Sequence, residues 1–285
     1  MNYENCELCP RRCGVDRTAG EWGWCGAPGM ALVAKTMLHQ WEEPVLSPNG
    51  KSGAIFFGGC TLGCVYCQNW AISQNPKGTP MDSAELRAVM EGLIGEGAEN
   101  IDLVTPTHYL PTILPALEPK LSVPVVYNCG GYERIETLKQ LEGKVDIYLP
   151  DLKYADNRLA KALSGAPDYF QTATAAIREM VRQTGPVRWE GDRVKSGVIV
   201  RHLILPGFVD NSLRCLDWLG ENFAPGEILV SLMRQYTPMP GLAAPLDRTV
   251  TEDEYQAVLS WMMLNDLEGF TQEADAADVG FIPDF

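Results

Sequence analysis

Positive charge is in deficit in this chain: 23 Lys and Arg stand against 37 Asp and Glu, a formal charge of −14 with an isoelectric point near 4.7. Nucleic acids and anionic membranes are captured chiefly by neutralising phosphates, so the deficit argues against unaided binding to DNA, RNA or a charged bilayer. Long apolar runs are also lacking. No window holds the roughly eighteen consecutive apolar residues of a membrane-spanning helix. The opening Met1 to Cys6 has neither the basic nor the apolar region of a secretory leader, so a cytoplasmic protein is expected. Internal repeats and low-complexity segments are missing as well.

What is present is a chain of 285 residues, 46% hydrophobic, enough for one large α/β core with a small appended module. Its nine cysteines are odd in number and closely spaced, which reads as metal ligation in a reducing compartment and not as a disulfide framework. Three of them lie in Cys60-Thr61-Leu62-Gly63-Cys64-Val65-Tyr66-Cys67, directly behind the apolar run Ala54-Ile55-Phe56-Phe57. From one tight loop they can point into a single small volume, and soft thiolates select iron–sulfur, Cu(I) or zinc. A closed zinc site or an electron-transfer cluster wants four protein ligands, so a trio implies an iron left open. Gly58, Gly59 and Gly63 are expected to let the backbone approach a cubane closely.

This loop resembles the cluster motif of the radical S-adenosylmethionine (radical SAM) superfamily in cysteine order and spacing, in Tyr66 before the third cysteine, and in following an apolar strand. The resemblance implies a [4Fe–4S] cluster on Cys60, Cys64 and Cys67, with SAM chelated at the fourth iron and an electron from a donor such as flavodoxin or ferredoxin. It implies reductive cleavage of SAM to a 5′-deoxyadenosyl radical that abstracts hydrogen from a substrate.

The first 30 residues carry a second group, Cys6, Cys9, Cys13 and Cys25, interspersed with glycines. Four thiols can close a complete metal shell: a structural zinc, an auxiliary iron–sulfur cluster, or a loop of reduced cysteines without metal. The segment resembles the amino-terminal cysteine stretch of uncharacterised radical SAM proteins related to pyruvate formate-lyase activating enzymes. It departs from the ferredoxin-like insert of some glycyl-radical activases in spacing and position.

Ala31 to Ala34 reads as a short strand, followed by a turn-rich connection through Pro44, Ser47-Pro48-Asn49-Gly50 and Gly53. His39, Trp41, Glu42 and Glu43 lie there as cleft candidates, with His39 read as packed or surface. Asp82 or Ser83 caps a helix whose apolar face is Leu86, Val89, Met90, Leu93 and Ile94. Strands are then expected at 101–105, 123–127, 145–149, 198–204 and 227–233. Helices are expected at 109–118, 132–141, 155–163, 168–184, 210–222 and 251–264. Such alternation predicts a parallel α/β sheet with right-handed crossovers. The family resemblance sharpens this to a partial (β/α)6 barrel over 50–265, preceded by a cysteine-rich extension and connector (1–49) and followed by a cover or partner segment (266–285).

Candidate site residues fall at the carboxyl ends of the strands. Thr105 and Thr107 stand where the superfamily often has a Gly-Gly-Glu that meets the SAM amino group, and His108 either faces substrate or begins a helix. Asn128 precedes Gly130 and Gly131, while Cys129 is read as a packed thiol rather than a radical carrier. Asp151 is a candidate for a ribose hydroxyl or substrate amide and Lys153 for an anionic group, with a structural ion pair as the alternative. Arg201 is the candidate to fork onto the SAM carboxylate, with His202 facing away. Met233 to Gly241 has the side chains to close an adenosine or peptide pocket, and the run to Thr249 reads as a lid, a partner surface or plain loop.

The Asp151-Leu152-Lys153 and Val200 to Gly207 stretches resemble those of pyruvate formate-lyase activating enzymes, which implies activation of a glycyl-radical enzyme. Radical modification of another peptide or small molecule is the enzyme alternative. An iron–sulfur carrier or zinc-binding interaction module is the non-enzyme one.

Overall fold

A computed structural model describes residues 2–40 and 42–272. The chain enters its sheet with β1 (Ala31–His39), which runs antiparallel to β2 (Ser52–Phe57). The short α1 (Trp70–Ser73) and β3 (Thr79–Met81) lead to α2 (Ser83–Gly95). Then β4 (Asn100–Val104), α3 (Leu110–Ala116), β5 (Val125–Cys129), α4 (Ile135–Leu138) and β6 (Ile147–Pro150) alternate. Two helices, α5 (Asn157–Ser164) and α6 (Tyr169–Thr184), precede the hairpin of β7 (Arg188–Glu190) and β8 (Arg193–Leu203). The chain continues with α7 (Val209–Asn222), β9 (Leu229–Met233), α8 (Glu252–Leu264) and β10 (Gly269–Thr271).

The sheet order is β10-β9-β8-β6-β5-β4-β2-β1-β3. Every pairing from β2 through β4, β5, β6 and β8 to β9 is parallel, so six parallel strands form the expected partial barrel. Alternation within the strands sorts side chains between two layers. Leu103, Tyr127 and Cys129 face the large core under the helices. Val126, Ile147, Leu149, Ile199 and Leu229 face a smaller inner cluster in the lumen.

Local signals act where expected. Asp82 accepts from the backbone of Ala84 and Glu85, Glu85 answers in a capping box, and α2 buries Leu86, Met90 and Leu93. The expected helix at 132–141 shrinks to a single turn and a following 3-10 turn at Lys139–Leu141. The reason is close approach: Gly131 has φ +76°, and a side chain there would strike the Asp151 carbonyl. The chain must therefore turn before it can coil.

The connector between β1 and β2 closes the amino-terminal end of the barrel. Val45 and Leu46 pack into the inner cluster. The Val45 carbonyl accepts from Val194 of β8, and the Leu46 carbonyl accepts from the Asn100 side chain of β4. The division expected near residue 49 therefore falls inside a continuous structure: β1 belongs to the barrel sheet, and the connector is its floor. At the other end of the chain, β10 adds in parallel to β9. The rest of the expected carboxy-terminal cover, 273–285, lies outside the described residues.

Candidate active site

The loop after β2 turns through Gly59 and Gly63, both at positive φ, and delivers Cys60, Cys64 and Cys67 at the carboxyl end of the strands. Each sulfur accepts a hydrogen bond: Cys60 from the Leu62 N–H at 3.4 Å, Cys64 from the Ser164 hydroxyl at 3.0 Å, and Cys67 from the Ser73 hydroxyl at 3.4 Å. Burial and the neighbouring thiols push Cys60 up to about 12, and Cys67 is raised in the same way. Bare thiolates are thus disfavoured there, while sulfurs shared with iron and held by hydrogen bonds fit the donor set of a cluster.

Gly58 and Gly59 do a different job from the one expected. A side chain at Gly58 would meet the Lys77 carbonyl at 2.6 Å, and one at Gly59 the Cys25 carbonyl at 2.6 Å. These glycines admit other backbone, including that of the extension, rather than a cubane.

Below the loop a polar network descends through the lumen. Lys153 donates to Asp151 at 2.6 Å, and Arg201 donates to Asp151 at 3.0 Å and to Asn128 at 2.6 Å. Asn128 in turn donates to the buried Asp102 at 3.3 Å. Burial raises the Asp151 carboxyl, but Arg201 and Lys153 outweigh it and hold Asp151 below the usual carboxylate range. Lys153 feels the Cys64 sulfur as well as Asp151, so its charge lies between the loop and the network.

Carboxyls from the floor and from β4 meet this network. Glu43 reaches Ser231 and lies near Arg201, and burial followed by Glu42 pushes it up to about 7. Asp102 is raised well above the usual range, by burial first and then by Glu42, and one of its oxygens lacks a hydrogen-bond partner among the described residues. Of the cleft candidates in the connector, Glu42 and Glu43 come within electrostatic reach of Arg201, and Trp41 lies outside the described residues. Asp102 carries no motif signal; its apolar neighbours Ile101 and Leu103 make it read as a strand residue.

Other expected residues sit elsewhere. Thr107 is buried on the helix side of the sheet, donating to Glu133 at 2.7 Å, and is turned away from the lumen. Thr105 is partly buried at φ +60°, its N–H bonded to the Asn128 carbonyl. His108 does not face a substrate: it is 1% exposed, its Nε2 bonds the Gly58 carbonyl at 2.9 Å, and burial lowers it to about 3. His202 faces away from the lumen, bonding the Leu152 carbonyl through Nδ1 at 2.6 Å. Cys129 is buried beside Glu133, as a packed thiol should be. Tyr66 is also buried, and its hydroxyl joins a chain through Tyr154 and Ser164 to Cys64, which supports the loop from behind. Arg201 has two of its nitrogens engaged with Asp151 and Asn128, so the full fork expected for the SAM carboxylate is not free.

The extension grips the loop from outside. Arg11 donates to the carbonyls of Thr61, Leu62, Ser164 and Gly165 and lies 3.9 Å over the Trp24 ring.

A six-stranded parallel partial barrel with three cysteines on the loop after its first parallel strand defines the architecture of radical SAM enzymes. The model of the radical SAM superfamily matches residues 54–219, and the chain belongs to that superfamily. Its members use a [4Fe–4S] cluster and SAM and take electrons from a reductant.

Among curated proteins it is similar to two uncharacterized proteins of Methanocaldococcus jannaschii. To MJ0674 it is 30% identical over 247 residues, 83% of this chain and 67% of that protein. To MJ0808 it is 27% identical over 232 residues, 74% of this chain and 63% of that protein. The chain thus spans about two thirds of the length of each.

Among solved structures the fold is similar to a radical SAM methyltransferase from Sphaerobacter thermophilus (TM-score 0.57, 14% identity, 80% of this chain and 68% of that one). It is also similar to Streptococcus suis SuiB bound to S-adenosylmethionine (TM-score 0.52, 13% identity, 76% and 49%). Among the described residues no helix is long and apolar enough to cross a membrane.

Proposed function

We propose that Cys60, Cys64 and Cys67 hold the superfamily's [4Fe–4S] cluster and that the lumen below them binds SAM. The observation that carries this reading is the three-thiol loop, each sulfur with its own hydrogen-bond donor, standing directly over the Lys153–Asp151–Arg201–Asn128 network. When bound and reduced, the cluster supplies the electron that cleaves the sulfonium of SAM to methionine and a 5′-deoxyadenosyl radical. Lys153 and Arg201 supply positive charge for the SAM carboxylate, Asp151 orients both cations, and Asn128 offers donor and acceptor atoms to the adenosine. The partly exposed Thr105 remains a further polar candidate beside Asn128, whereas the buried Tyr66 and Thr107 act through packing. A flavodoxin- or ferredoxin-type donor in the cytoplasm would provide the electron.

The specific activity we favour is activation of a glycyl-radical enzyme by abstraction of a backbone glycine hydrogen. Its support is sequence likeness at Asp151-Leu152-Lys153 and Val200 to Gly207. A second reading, radical modification of a smaller substrate, is supported by the closed floor, where Glu42, Glu43 and Asp102 give the deep end of the lumen carboxyl groups that a small polar molecule can bind.

The test is anaerobic reconstitution with iron and sulfide, reduction in the presence of SAM, and quantification of 5′-deoxyadenosine. Cys64→Ala should abolish the product, and product formed without an intact cluster would overturn the mechanism. Adding candidate glycyl-radical partners with deuterium-labelled glycine separates the two readings: deuterium in 5′-deoxyadenosine selects the first, and unlabelled product with every partner selects the second.

A further inference from the structure

Arg17 of the extension is 2% exposed, yet among the described residues it has no carboxylate partner. Its guanidinium donates to the carbonyls of Ala27, Pro28 and His108, and Nη1 points at the Cys6 sulfur across 3.7 Å. The Tyr3 and Tyr109 rings cover it, with its carbon 4.6 Å and 5.4 Å from their centroids. A buried charge needs a counter-charge. The group it points to is sulfur.

Cys6 does not stand alone. Cys25 lies within electrostatic reach of Cys6 and Cys13, and Cys9 within reach of Cys13 and Cys25. Hairpin-like backbone bonds fix them, from Cys6 to Val15, Gly14 to Cys6 and Arg12 to Cys9, and the Trp24 N–H donates to the Cys13 sulfur at 3.4 Å. None of the four is in a disulfide. Four thiolates around a metal unit of charge +2 leave a dianion, and Arg17 sits against it as a buried cation.

Zinc and iron–sulfur would share that charge but not the geometry. A single zinc ion draws all its sulfurs to about 2.3 Å from one point. Among the described residues no three His, Cys, Asp or Glu donors converge on one ion's position, and this is as true of Cys60, Cys64 and Cys67 as of the extension. A cubane places each sulfur on a separate iron, which suits four thiols that are neighbours without converging.

We infer that Cys6, Cys9, Cys13 and Cys25 hold a second, fully protein-ligated iron–sulfur cluster whose charge is compensated by the buried guanidinium of Arg17. It adjoins the first site: Cys25 and Cys60 line one cavity of about 190 Å³, and the Cys25 carbonyl packs on Gly59. Cys13, the exposed member of the set, marks its solvent side.

The test is metal stoichiometry on the full chain and does not depend on SAM chemistry. After anaerobic reconstitution with iron and sulfide, the chain should hold ~8 irons, and Cys60→Ala/Cys64→Ala/Cys67→Ala should retain ~4 with a reducible cluster signal in electron paramagnetic resonance. Because the triple variant disturbs a central loop, Cys13→Ser, at an exposed position, provides the complementary arm. It should fall to ~4 irons while 5′-deoxyadenosine formation from the first site persists at a measurable rate. Arg17→Met should lower iron at the extension without lowering it at Cys60, Cys64 and Cys67. Wild-type protein that holds only ~4 irons, or whose extension fills with zinc in place of iron, overturns the inference.

Discussion

The Ser164 hydroxyl donates to the Cys64 sulfur across 3.0 Å and is itself the end of a chain that begins at Tyr66 and passes through Tyr154. With the Ser164 proton directed at sulfur, Tyr154 donates to Ser164 and Tyr66 donates to Tyr154. A hydrogen bond to a cluster sulfur stabilises the reduced, more negative state. Ser164→Ala should therefore make the cluster harder to reduce, by about 40 mV if the bond contributes about 1 kcal/mol. Redox titration followed by electron paramagnetic resonance reads the shift. An unchanged potential would remove Ser164 from the tuning of this site.

Asp151 pairs with two cations, Arg201 at 3.0 Å and Lys153 at 2.6 Å. Replacing Arg201 by Gln should cost about 3 to 5 kcal/mol of stability, because Asp151 is left buried beside an incomplete partner set. SAM affinity should fall at least about tenfold, equivalent to ~1.4 kcal/mol. Arg201→Gln/Asp151→Asn should recover stability but not SAM binding. Denaturant titration and calorimetry separate the two effects.

Arg11 ties four carbonyls on two segments, the cluster loop and the end of α5, to the extension. Arg11→Ala should destabilise the protein by roughly 2 to 4 kcal/mol through orphaned carbonyls and lost packing on Trp24. Iron should also leave the Cys60, Cys64 and Cys67 site faster when a chelator is added. Chelation kinetics measure this, and a rate equal to that of the unaltered chain would show that the clamp is dispensable.

Glu133 is 2% exposed, and burial pushes it up to about 7 despite hydrogen bonds from Thr107 and Tyr127. The folded state then binds more protons than the unfolded state between about 4.5 and 7, so stability falls as pH rises through that window. The loss should reach roughly 3 kcal/mol above pH 7, at about 1.4 kcal/mol per pH unit. Glu133→Gln should lack this component. Denaturation of both proteins at pH 5 and pH 8, in the same metal state, isolates it as a difference of differences.

The packing of the floor is equally testable. Leu46 is 1% exposed within the inner cluster, and Leu46→Ala should cost about 2 to 5 kcal/mol by leaving a cavity among Val126, Ile147 and Leu229. Thermal or denaturant unfolding checks the magnitude.

Much of the barrel was legible because apolar runs such as Ile55 to Phe57 and amphipathic spacing such as Leu86, Met90 and Leu93 are local signals. The cysteine trio was legible for the same reason. The floor was not: Val45 and Leu46 lie among turn formers, and only their contacts with Val194 and Asn100 reveal what they close. Asp102 was hidden by its apolar neighbours, because strand alternation turns it inward while Leu103 faces the helices. Thr105 and Thr107 looked equivalent, yet the turn at Pro106 leaves one partly exposed and buries the other against Glu133. Such partitions depend on where a turn points the next residue, which composition and spacing do not encode.

The connector that floors the barrel lays chain across the amino-terminal end of the lumen. The cluster loop stands at the other end, beside Lys153, while Glu42, Glu43 and Asp102 lie toward the floor. If a small substrate occupies the floor end, SAM sits under the loop and both enter from the loop end, traffic is last in, first out. The substrate has to arrive before SAM, and its product has to leave after methionine and 5′-deoxyadenosine. A compulsory order of this kind would show as substrate inhibition by SAM.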